Sequence, residues 1–172
     1  MIFHTTIYDI SQMAKDFYYE NPLSVNKVEK IIVSVGTNEV KYFNSHKYDI
    51  HKRFRSPIIN LVKSLKQMYP NAQIIFQTVL PIQIKYVYTA ESVHTFNTLL
   101  LNVCEQFGCI YFDCFSQFLD VEGWDYNRNL YRDNIHLNDN GLKLLCRALK
   151  FVIHRNIFNP HPRISYYHNY NH

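Results

Sequence analysis

The chain has 172 residues, 47% of them hydrophobic and 19% charged: enough for one domain with a real core, too few for two comfortable ones, and too apolar for a disordered protein. The formal charge of +4, from 18 Lys and Arg against 14 Asp and Glu, is mild and scattered, so it gives only weak support to a nucleic-acid or other anionic partner. No run approaches the roughly 20 apolar residues of a membrane helix, and Met1 to Thr6 lacks the basic and apolar regions of a signal peptide, which predicts an intracellular, soluble protein with no membrane partner.

In chain order, Phe3 to Ile7 reads as a short strand or an extended entry. Ile10, Met13, Ala14 and Phe17 then recur at helical spacing, predicting an amphipathic helix over Tyr8 to Tyr19 that Asn21-Pro22 stops. The almost unbroken apolar run from Ile31 to Val35 predicts a central strand buried on both faces of a parallel sheet. It ends abruptly at Gly36-Thr37-Asn38-Glu39, where open α/β sheets place their ligand crevice, so Asn38 is a candidate site residue.

A polar, aromatic loop from Lys41 to Asp49 precedes a predicted helix from about Ser56, with Pro57 at its first position, to Tyr69. Gln73 to Leu80 is a second buried strand closed by Pro81. Val93 to Phe107 marks a helix capped by Gly108, and Cys109 to Asp113 a third strand. Strands alternating with helices imply a parallel sheet with right-handed crossovers. The segment Asp120 to Leu137 is irregular and polar. Asn138 is then expected to cap a last helix whose Leu142, Leu145, Ala148, Leu149 and Val152 face the core. Residues 158–172, rich in His, Tyr and Asn, read as a flexible tail beyond a domain spanning 1–157.

The four cysteines, at 104, 109, 114 and 146, lack zinc spacing and read as reduced core thiols. His154, His161, His168 and His172 lack helical i, i+4 pairing, so neither a metal nor any other cofactor is expected. The chemistry concentrates instead in Asp133-Asn134-Ile135-His136. An Asp three positions before a His on a loop lets the carboxylate accept the Nδ1 proton and leaves Nε2 to act as a base.

Together these blocks resemble the SGNH, or GDSL-type, hydrolase family. Gly36-Thr37-Asn38-Glu39 is similar to the family's Gly-x-Asn-Asp block, and Asp133 to His136 to its Asp-x-x-His block, with Leu80-Pro81 and Gly141 in fitting places. The resemblance covers roughly residues 3–155 and is closest to the esterase-like domains of mobile elements and large DNA viruses. It implies a three-layer αβα, flavodoxin-like fold and hydrolysis of a small acyl ester. His136 would be the base, Asp133 its orienter, and Asn38 with Gly36 the oxyanion hole.

The chain contains no Gly-Asp-Ser turn, the block that carries the family's nucleophile on its first strand. The resemblance therefore implies a domain lacking that strand and inactive, or nearly so, as it stands. Thr5 and Thr6 are the better replacement hydroxyls, ahead of Ser11, Thr37 and Ser34, the last expected to point into packing. Two other readings accompany this one. One is a half-enzyme or fold completed by a protein chain that donates the missing strand. The other is a non-catalytic module binding RNA weakly, or a protein, with Tyr42, Tyr86, Tyr88, Tyr166 and Tyr167 free to stack on bases.

Overall fold

The structure, a computed structural model, describes residues 6–22, 25–41, 49–82, 89–120, 126–154 and 163–165. The possible strand from Phe3 therefore lies largely outside the described residues, as do Thr5 and the five tyrosines named above. Ile7 already belongs to helix α1 (Ile7–Glu20). Thr6 caps that helix: its side chain accepts from Asp9 N–H while the Asp9 carboxylate accepts from the Thr6 backbone, a reciprocal capping box that fixes the helix start.

Four strands, β1 (Lys30–Ser34), β2 (Gln73–Gln77), β3 (Ile110–Asp113) and β4 (Arg163–Ser165), form one parallel sheet in the order β1-β2-β3-β4. The crossovers run through α2 (Thr37–Val40) and α3 (Ile50–Met68) after β1, and α4 (Ala90–Phe107) after β2, while α5 (Asp139–His154) precedes β4. One sheet face packs with α3 and α4 into a core around Phe54, Leu61, Phe76, Phe96 and Leu100. The other packs Ile75, Ile110 and Phe112 against Ala148 and Val152 of α5. The parallel sheet expected from the β/α alternation and the αβα layering that the resemblance implies are both present.

Several expectations are corrected. β1 is not central but lies at the edge of the described sheet, so Ile31 and Ile32 are only half-buried and Ser34 is exposed rather than packed. Helix α3 begins at Ile50, not near Ser56, because Asp49 caps it through the His51 and Lys52 N–H groups, leaving Pro57 inside the helix. On α5, Leu142 faces solvent, and Cys146 is exposed whereas Cys104, Cys109 and Cys114 are buried. Arg163–Ser165, within the expected tail, runs beside β3. Among the described residues no helix is long and apolar enough to cross a membrane.

Candidate functional site

The Gly36–Glu39 block follows the carboxyl end of β1, and the loop that carries Asp133 and His136 is tied to Pro81, beyond the carboxyl end of β2. The chain leaves β1 through Gly36, whose φ of 119° is one that side-chain-bearing residues rarely adopt. A Cβ there would collide with the Phe96 ring and with Val79, so glycine is required both by conformation and by space. The turn places Asn38 in α2, a single helical turn, rather than in an open loop, half-buried and with its own interactions.

Glu39, in the same turn, is buried. Its Oε1 accepts the Ile7 backbone N–H at 2.9 Å, joining the start of α1 to the exit of β1. Its Oε2 has no hydrogen-bond partner among the described residues, and burial raises the carboxyl's pKa despite the N–H bonds that oppose the rise. The Glu39 side chain carries its carboxylate to the N-terminus of α1, a placement with no signature in local spacing.

The exit of β2 is pinned by Asn97, on α4. Its amide accepts from Val79 N–H at 2.8 Å and donates to Val79 C=O at 3.0 Å, satisfying a buried backbone pair outside the sheet ladder. Two residues on, Pro81 C=O accepts the Tyr131 hydroxyl at 2.5 Å. Tyr131 is buried edge-on against Tyr126 and Phe118, and burial pushes its hydroxyl above the ordinary tyrosine range. This bond docks the loop that carries Asp133 and His136 on the end of β2. Val79, beside Gly36 on one side and two residues from Pro81 on the other, links the β1 turn to that loop.

The loop is closed by Arg132 N–H donating to His136 C=O at 2.8 Å and by a bridge between Tyr131 and Leu137. Asn138 finishes it. Its Oδ1 accepts from the Asn140 and Gly141 N–H groups as the cap of α5, and its Nδ2 donates back to Asn129 C=O. Gly141 is tightly held, since a Cβ there would strike the Leu130 carbonyl oxygen.

Within the loop, Asp133 Oδ1 accepts the Ile135 and His136 backbone N–H groups at 2.8 and 2.6 Å, and Oδ2 lies 2.6 Å from His136 Nδ1. These bonds hold the Asp133 carboxyl well below the usual carboxylate range. An ionised Asp133 selects the Nδ1–H tautomer, so Nε2 carries the free lone pair, and no described residue bonds Nε2. The arrangement can accept a proton at Nε2 from a hydroxyl or water and stabilise the resulting imidazolium.

No described hydroxyl bonds His136. The Thr6 hydroxyl is engaged with Asp9 at 2.7 Å, Ser34 lies on the outer edge of β1, and Thr5 is outside the described residues. The buried Thr78 hydroxyl faces Cys114 Sγ at 3.4 Å, and burial pushes that thiol up to about 12. Among the described residues no group of His, Cys, Asp and Glu could hold a metal ion.

A fold of this topology, with these two blocks at neighbouring strand ends, is that of an ester-hydrolase-like α/β domain. The sequence profile of the GDSL-like Lipase/Acylhydrolase family matches residues 8–144, and the chain belongs to that family. Solved structures agree at the level of fold. The acetyl xylan esterase AlAXEase superposes with a TM-score of 0.65 at 20% identity, over 87% of this chain and 76% of that one. A GDSL-like lipase from Bacteroides thetaiotaomicron gives 0.62 at 15%, over 87% and 71%. A mutant of Axe2, an acetyl-xylooligosaccharide esterase from Geobacillus Stearmophilus, gives 0.62 at 17%, over 90% and 70%. No curated protein sequence matches the chain.

Proposed function

We propose that this domain carries the acid–base half of an acyl-ester hydrolase site: His136 as the base, Asp133 as the residue that orients it, and the Asn38 side chain with the Gly36 N–H as donors to the oxyanion. The observation that carries the reading is the 2.6 Å contact between Asp133 Oδ2 and His136 Nδ1, with no described residue bonded to Nε2. In that scheme His136 takes the proton of an attacking hydroxyl, and the oxyanion formed on the ester carbonyl is met by the donors at the β1 exit. The substrate class is a small acyl ester; the acetyl esterases and lipase among the structural neighbours are compatible with it.

Among the described residues the site has no hydroxyl bonded to His136. Nor does the chain have a Gly-Asp-Ser turn, which favours a domain inactive or nearly so by itself. The same observation favours a second reading, in which the retained crevice binds RNA or a protein without turnover.

Covalent labelling with a fluorophosphonate, followed by peptide mapping, separates the two. Labelling of one Ser or Thr, Thr5 and Thr6 being the foremost candidates, that disappears in His136→Ala establishes a hydrolase with a replacement nucleophile. A well-folded chain that takes up no label has no working nucleophile. A salt-sensitive shift of single-stranded RNA by that chain then supports the binding reading.

A further inference from the structure

Basic residues that lie scattered in the sequence fall into line on α5. Lys143, Arg147, Lys150 and His154 recur at intervals of four, three and four, so at about 100° per residue they share an arc of roughly 60°. All four are exposed, and the buried residues of the helix, Gly141, Ala148 and Val152, lie on its opposite side. The row therefore faces away from the sheet. At 1.5 Å per residue it is roughly 16 Å long.

Its charge is uncompensated. Asp139, in the first turn, is the only acidic residue of α5, and among the described residues no ion pair reaches Lys143, Arg147 or Lys150. The Lys30 amine, on the Ile153 carbonyl, adds a positive group near the end of the row. Helix α3 carries more Lys and Arg but no such row. There Arg55 is engaged with Gln106 at 2.8 Å, Arg53 lies over the Phe54 ring, and the exposed Lys52 and Lys63 stand about three turns apart.

A single file of cations fits a line of anionic charges. Successive members stand about 4.5 or 6 Å apart along the axis, comparable with the interval between successive phosphates of a nucleic-acid strand. An anionic membrane is a plane, and a helix holds to one by apolar side chains inserted beside its basic ones. The exposed apolar residues of α5, Leu142 and Ile153, each precede a member of the row and so stand about 100° away round the helix, which leaves the row itself without an apolar anchor. The exposed arc has no aromatic side chain on which a base could stack. We propose that the outer face of α5 binds the phosphate backbone of single-stranded nucleic acid through Lys143, Arg147 and Lys150, without reading its bases. This face is separate from the crevice at the strand ends, so the proposal stands whether or not the His136 site turns over an ester.

The test measures the anisotropy of a fluorescent oligothymidylate, and of an oligocytidylate of equal length, with the full chain. Saturable binding is expected at low ionic strength, equal within about twofold for the two oligomers. The logarithm of affinity should fall against the logarithm of salt concentration with a slope of about −2, as three cations on a single strand require. Lys143→Gln, Arg147→Gln and Lys150→Gln together should weaken binding at least about tenfold and flatten that slope. Lys15→Gln, Lys27→Gln and Lys66→Gln together remove the same charge from exposed positions on other elements and should change affinity by less than about twofold. Equal losses in the two triple variants would reduce the effect to net charge and overturn the proposal. So would a strong preference for one base, or no binding by a chain with native circular dichroism. Row-dependent cosedimentation with phosphatidylserine vesicles in place of oligonucleotide binding would also overturn it, in favour of a lipid surface.

Discussion

Asp133 holds His136 at two points, with Oδ1 on its backbone N–H and Oδ2 on its imidazole Nδ1, each at 2.6 Å. In Asp133→Asn the Oδ1 acceptor keeps the two loop N–H groups, but an NH₂ then faces Nδ1 and donates to it. The loop should survive while the imidazole changes tautomer, so that Nε2 carries the proton and cannot act as base. Nitrogen-15 NMR of His136 is expected to show Nδ1–H in the parent chain and Nε2–H in the variant, and any hydrolysis should fall roughly 10³–10⁴-fold. The same tautomer in both would remove Asp133 from the orienting role.

Glu39 yields a pH dependence of defined sign. Burial raises its carboxyl pKa above the ordinary 4.5, so the folded chain holds that proton more tightly than the unfolded chain. The stabilisation is complete below the unfolded pKa and is lost as pH rises through the folded one, where an ionised carboxylate must stay buried. Glu39→Gln keeps an acceptor for the Ile7 N–H without the charge. Urea titrations should therefore show the parent chain losing stability relative to the variant as pH rises above the ordinary carboxyl value of 4.5. A difference that stays flat as pH rises would mean that Glu39 is solvated.

Gly36 and Gly108 both have positive φ, 119° and 62°, yet their surroundings differ. At Gly36 a methyl meets the Phe96 ring and Val79; at Gly108, which ends α4, nothing lies within 4 Å. Gly36→Ala combines backbone strain with overpacking and should cost roughly 2–5 kcal/mol. Gly108→Ala should cost about 1 kcal/mol. Equal midpoints in urea for the two variants would show that Phe96 and Val79 leave more room at the β1 exit than their positions indicate.

How far the sequence could be read depended on whether the determinant was local. The Asp133-x-x-His136 contact, the Asn138 cap and the turn at Gly36 are set by residues within a few positions of one another, and all three follow from spacing and turn chemistry. The position of β1 was not legible that way. An apolar run such as Ile31 to Val35 fits a central strand, and an edge depends on which other segments pair with it, a matter of the whole sheet. For the same reason Met13 and Phe17 keep helical periodicity and still face outward. Asn97 on Val79, Tyr131 on Pro81 and Glu39 on Ile7 join residues 18, 50 and 32 positions apart. No pattern in the linear sequence marks such pairs before the fold brings them together.

The Tyr131–Pro81 bond is the tether on which the His136 loop depends, and it can be removed without altering packing. Tyr131→Phe keeps the ring against Tyr126, whose centroid is 5.2 Å away, and deletes one buried donor, leaving the Pro81 carbonyl without it. A loss of about 1–2 kcal/mol is expected. Amide exchange should quicken from Arg132 to His136 while the amides of β2 and β3 change no more than that global loss requires. Tyr126→Phe serves as the comparison, since that hydroxyl bonds the Asn134 side chain within the same loop region and not the sheet. If Tyr131→Phe leaves both stability and exchange unchanged, the loop is held by Asn138 and the Tyr131–Leu137 bridge instead, and the β2 exit has no part in positioning His136.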